Sequence, residues 1–188
     1  VRPIEDRLRG GNDLACIFYT GGTTGRSKGV MLSHGNLWSN AVVTAARLGF
    51  DEDLVSLHAG PLFHLAAGAR VYTTAVVGGK HVVIPRFSPV EVLQAIARDK
   101  VTVATFVPTM LSMMLELPDL DSYDLSSLRM ITYGASPMPV ALLQECMEAM
   151  KQNYTVQVFA TDIDSRAIAT ARAGLYPASI AADVSPQR

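Results

Sequence analysis

The chain has 188 residues, enough for one ordinary domain with a real core, or for one domain and part of another. Apolar residues make up 49% and charged residues 18%, which excludes a disordered or fibrous chain and fits a buried α/β domain. Sixteen basic and 17 acidic residues give a formal net charge of -1 with no long run of either sign, so nucleic acid and anionic membrane are not expected partners.

Short apolar runs alternate with helix-period runs along most of the chain, the pattern of βαβ units around a largely parallel sheet, and the expected class is α/β. Leu14 to Thr20 reads as a buried strand, Gly21 to Gly29 as a Gly/Thr-rich loop, and Val30 to Leu32 as a short strand. Ser33 is placed to cap a helix running to about Leu48. Leu54 to His58 and His81 to Ile84 read as strands, with a helix from Ala66 to Val77 between them. Ser88, Pro89 and Glu91 carry the signature of a helix start, with Glu91 able to complete a capping box, and that helix reaches about Asp99.

Val101 to Val107 alternates as a strand, Pro108 opens a Met-rich helix ending near Leu117, and Asp119 to Ser127 is a polar loop. Arg129 to Tyr133 is a further strand, and Val140, Leu143, Met147 and Met150 set an amphipathic helix after Pro139. A strand over Thr155 to Ala160 and a helix from Ser165 to Ala173, stopped by Gly174, complete the series. Cys16 and Cys146 are far apart and lack metal-ligand spacing, which suits a reducing cytoplasm. Pro61, His64, Arg70, Lys80 and Pro108 interrupt the richest apolar regions, so no run of about 18 apolar residues predicts a membrane span. The start at Val1 without methionine predicts a fragment or a processed chain.

Chemistry concentrates in Tyr19-Thr20-Gly21-Gly22-Thr23-Thr24-Gly25-Arg26-Ser27-Lys28-Gly29. Glycines let backbone N-H groups approach an anion, the hydroxyls of Thr20, Thr23 and Thr24 donate to it, and Lys28 supplies a point charge for phosphate. A glycine follows Lys28 where the common P-loop has Ser or Thr, and no helix is expected there, so the grip is of another kind. Extended through Val30-Met31-Leu32-Ser33-His34, the string resembles the signature of the adenylate-forming superfamily of acyl-CoA synthetases, luciferases and peptide-synthetase adenylation domains. Gly21 stands where serine is more usual and Ser27 where proline is more usual, and neither change removes a needed donor.

Pro61-Leu62-Phe63-His64 is similar to that family's next motif, whose aromatic and histidine positions border the acyl pocket and the adenylate. Without that context, His64 reads equally well as a structural side chain. Gly134-Ala135-Ser136-Pro137 resembles the segment whose backbone lies along the adenine ring, and it is also a tight turn. The resemblance implies a fragment of the large N-terminal domain of an enzyme using ATP, Mg2+ and coenzyme A on a small carboxylic acid. His34 and the Phe63-His64 pair lean toward fatty or aromatic acids. The implied roles are catalytic for Lys28 and His64, and nucleotide-holding for Thr20, Gly21, Gly22, Thr23, Thr24, Gly25, Lys28, Gly134, Ala135, Ser136 and Pro137. The loop from Gly21 to Lys28 is expected to join two strands close to the turn at Gly134 to Pro137.

That resemblance covers about residues 2–150, after which the expected Tyr-Gly-x-Thr-Glu motif does not follow. Later pieces of the family, a ribose-binding Thr-Gly-Asp and a second lysine on a small C-terminal domain, are not found either, so the chain as given is expected to be inactive. Val156 to Asp164, Ser165 to Gly174, Tyr176-Pro177 and Asp183-Val184-Ser185-Pro186 instead resemble the chemotaxis-receptor glutamate methyltransferases. In that reading residues 151–188 are a partial second domain, and Asp162 accepts the ribose hydroxyls of S-adenosylmethionine. In another, Gln157 to Asp162 is a degenerate form of the ligase motif, with Phe159 for tyrosine and Thr161-Asp162 for threonine-glutamate. A non-catalytic nucleotide-binding fold is the remaining alternative.

Overall fold

The computed structural model describes residues 8–20, 26–134, 138–149 and 164–174. The chain divides into two compact units, Val1–Gln152 and Asn153–Arg188. In the first, strand β1 (Leu14–Thr20) pairs antiparallel with β2 (Lys28–Ser33), in register from Leu14↔Ser33 to Thr20↔Lys28 with an irregularity between Leu14 and Cys16. β2 begins at Lys28 rather than Val30, so Lys28 belongs to the strand and not to the loop.

Ser33 ends β2 and starts helix α1 (His34–Leu48). Its hydroxyl accepts from the Asn36 N-H at 3.1 Å while the Asn36 side chain accepts from the Ser33 N-H at 3.0 Å, a reciprocal cap that satisfies two otherwise orphaned donors. Gly49 closes the helix in the left-handed region at φ 66°. α1 buries Leu37, Ala41 and Ala45, whereas Trp38, Val42 and Val43 on its other side are exposed.

Four parallel strands follow, β3 (Val55–His58), β4 (Lys80–Val83), β5 (Val103–Phe106) and β6 (Met130–Tyr133), in the order β4-β3-β5-β6. Helices α2 (Leu65–Val76), α3 (Pro89–Asp99), α4 (Pro108–Leu115) and α5 (Val140–Ala149) connect or follow them, which bears out the expected βαβ arrangement. The Ser88 hydroxyl accepts from the Glu91 N-H at 3.5 Å at the start of α3. The return bond from the Glu91 side chain is not found among the described residues, so this cap is half of the box read from sequence.

Strand side chains alternate between faces, and here the two faces differ in kind. Leu57, Val82, Ala104, Phe106 and Ile131 pack with Val92, Leu93, Ile96, Leu111, Met114 and Leu142 of α3, α4 and α5 in one apolar cluster. Phe106 is 1% exposed, and truncating such a ring to alanine costs about 3–5 kcal/mol. Ser56, His58, His81, Thr105 and Thr132 alternate onto the opposite, polar face, toward which α2 extends Arg70.

The described part of the second unit is helix α6 (Ser165–Ala173). The Asp164 carboxylate accepts from the Arg166 N-H at 2.9 Å, and Gly174 ends the helix at φ 68°, the cap and stop expected from sequence. The strand expected over Thr155 to Ala160 lies outside the described residues. No helix among the described residues is long and apolar enough to cross a membrane.

Candidate functional site

Residues opposite each other in an antiparallel pair project to the same side of the ribbon, so the Thr20↔Lys28 pair puts a hydroxyl-bearing and an ammonium-bearing residue on one side at the mouth of the hairpin. The Thr20 hydroxyl donates to the Lys28 carbonyl at 3.4 Å, tying the two ends together. Both side chains are exposed, and Lys28 takes part in no ion pair among the described residues. Gly21, Gly22, Thr23, Thr24 and Gly25, which the pair brackets, lie outside the described residues.

Tertiary contacts around α2 link the hairpin to the sheet. Gly68 sits where the chain doubles back: an added Cβ would lie 2.7 Å from the Leu62 carbonyl oxygen and 2.9 Å from the Phe18 ring of β1. The helix therefore approaches both the hairpin and the Pro61-to-His64 turn as closely as backbone allows. His64 occupies the N-cap of α2 without a side-chain cap bond, exposed, with its ring 4.6 Å from that of Phe63, which is 74% exposed. Gly134 follows β6 directly, and Ala135, Ser136 and Pro137 lie outside the described residues, as does Asp162. The structure thus joins Thr20 to Lys28, and sets His64 at the start of α2 and Gly134 directly after β6.

Sequence reasoning missed the polar face beneath α2. The Arg70 Nη2 donates to the Thr132 hydroxyl at 3.3 Å, and the Thr132 and Thr105 hydroxyls are 2.7 Å apart. The Arg70 guanidinium also lies 5.0 Å from the centroid of the Phe50 ring. On the neighbouring strands, His58 Nε2 and His81 Nδ1 are 3.0 Å apart, one donating and the other accepting, with the rings stacked. Burial, then the neighbouring His81, then the Arg70 cation lower the His58 pKa to about 4. Burial also lowers the Arg70 pKa from its ordinary value. The available signal was the parity of these residues within their strands. No group of three or more His, Cys, Asp or Glu side chains among the described residues could hold a metal ion.

The AMP-binding enzyme family profile matches residues 2–161 of the chain. The chain belongs to the AMP-binding enzyme family. It is 39% identical over 147 residues to a feruloyl-CoA synthase of an Amycolatopsis species, covering 76% of this chain and 30% of that protein. It is 40% identical over 135 residues to the 2-succinylbenzoate–CoA ligase of Bacillus licheniformis, covering 72% and 28%. Among solved structures, the inhibitor-bound N-terminal domain of FACL13 from Mycobacterium tuberculosis superposes with a TM-score of 0.71 at 30% identity, covering 77% of this chain and 36% of that one. The chain therefore spans less than a third of the curated AMP-binding relatives named here, and its fold is that of an adenylate-forming N-terminal domain. The AMP-binding match continues to Thr161, past the limit of about residue 150 read from motifs. Nothing in these comparisons supports the methyltransferase resemblance, and S-adenosylmethionine has no support as a ligand.

Proposed function

We propose that this chain is the phosphate-gripping part of an ATP-dependent, AMP-forming ligase that joins a fatty or aromatic carboxylic acid to coenzyme A. The observation that carries the reading is the Thr20↔Lys28 pair, which holds an exposed hydroxyl and an exposed ammonium at the two ends of a Gly/Thr-rich loop. In the reaction a carboxylate oxygen attacks the α-phosphorus of ATP and pyrophosphate leaves. The coenzyme A thiol then attacks the acyl carbon and AMP leaves.

Lys28, Thr20 and the loop from Gly21 to Gly25 balance the charge that gathers on the departing pyrophosphate, an effect strongest where donors are already aligned. Mg2+ bound with the nucleotide would supply further neutralisation of the phosphate charge beside Thr20 and Lys28. Gly134, Ala135, Ser136 and Pro137 lie along the adenine, and His64 with Phe63 borders the acyl group. The family match through Thr161 supports reading Phe159 and Thr161 as part of the ligase's own diverged motif, with Asp162 directly after the matched residues. The cysteine usage fits a reducing cytoplasm as the site of action.

Titration with ATP and with adenosine tests the reading. Lys28→Ala should weaken ATP roughly tenfold or more while sparing adenosine, since a charge-assisted phosphate contact is worth about 1.5–3 kcal/mol. Equal weakening of both ligands, or no binding of ATP by the parent chain, would contradict it.

A further inference from the structure

We propose that Arg70 is the counter-charge for a second carboxylate on the acid substrate, so that the ligase prefers dicarboxylic over monocarboxylic acids. The inference rests on the ligase reading above and adds a substrate class to it. Its basis is one buried atom: Arg70 Nη1 is shielded from solvent and has no hydrogen-bond partner among the described residues. Nη2 donates to Thr132, and the Phe50 ring borders the guanidinium. The ion pairs of the described chain join Arg9 to Asp13, Lys80 and Arg98 to Asp99, and Lys100 to Asp124, and none includes Arg70.

A buried cation without a counter-ion is unfavourable, and folded chains offset the cost by pairing it. An arginine fork is matched best by a planar anion that takes two N-H groups at once, which a carboxylate does. Position points the same way. Thr105 and Thr132 each stand one residue before the carboxyl end of a parallel strand, where ligands of open α/β sheets bind. Arg70 lies on the helix that the Phe63-His64 turn begins, and that turn is the one assigned above to the acyl group. The exposed Lys28 is left to serve the tetrahedral phosphates, whereas the Arg70 guanidinium is bordered by the Phe50 ring and by the Thr132 hydroxyl, itself 2.7 Å from that of Thr105. An acid reaching Nη1 must displace the groups that close over it, and pairing with a desolvated cation compensates for that.

Binding of matched acyl-sulfamoyl adenosines to the chain tests this, one series ending in a carboxylate and the other in a methyl group across a range of acyl lengths, with adenosine 5′-sulfamate as reference. At the best-fitting length the carboxylate member should bind at least about tenfold tighter. Arg70→Met should erase that preference without weakening adenosine 5′-sulfamate, and Arg70→Lys should keep part of it. Equal affinity of matched pairs at every length would overturn the inference while leaving the ligase reading intact, and it needs only the unsubstituted chain. Failure of all the adenosine probes, the reference included, would overturn both.

Discussion

His58 shows how a single side chain sets a pH limit. Its pKa lies near 4 in the folded chain and near 6.5 in an ordinary setting, so between those values the unfolded chain binds more protons than the folded one. Stability should therefore fall as pH drops from about 6.5 to about 4, by at most about 1.4 kcal/mol per pH unit from this group, and be insensitive to it above that window. Urea titrations of the parent chain and His58→Asn at stepped pH should show this slope in the first and its loss in the second. Parallel slopes in the two proteins would show that His58 contributes nothing to the pH dependence and would refute the prediction. The loop residues were legible because glycine, threonine and lysine at that density have few other uses. Arg70 and Thr132 were not, because their pairing joins positions 62 residues apart and leaves no local pattern.

At the scale of elements, the caps and periods written in the sequence account for most of what forms. Ser33, Ser88, Asp164 and Gly174 stop or start helices where their side chains and backbone freedom demand it. The sheet order β4-β3-β5-β6 was not legible, because strands that read alike locally acquire neighbours only when helices pack across them. Gly68 marks such a packing. A methyl group there would meet the Leu62 carbonyl, a backbone atom that cannot swing aside, so Gly68→Ala should destabilise the chain by roughly 1–3 kcal/mol. Gly10, with nothing near its missing Cβ, serves as the control, and urea midpoints of the two alanine variants measure the difference. Equal midpoints would mean that α2 has room to move off β1.

For the whole molecule, the coverage of about 30% of a feruloyl-CoA synthase governs what the chain can do alone. Adenylation needs carboxylate, α-phosphate and metal held together, and an error of about 1 Å can cost on the order of a hundredfold. Groups acting as a unit lose their effect together rather than in proportion. A pyrophosphate-release assay of the 188-residue chain with short, long and aromatic acids should therefore read at background. Release that vanishes in Lys28→Ala would refute this and point to Thr161 and Asp162 as working replacements for the diverged motif.

The exposed side of α1 has a practical consequence, because Trp38 is the chain's single tryptophan and is 61% exposed. An indole so placed should fluoresce at the long wavelengths of a hydrated ring and be quenched by iodide, with no second indole to confuse the signal. Any polypeptide that lies down on that side of the helix, including more of the same protein, should shift the emission to the blue and slow the quenching. Emission from Trp38 would thus register coverage of this helix independently of whether nucleotide is bound.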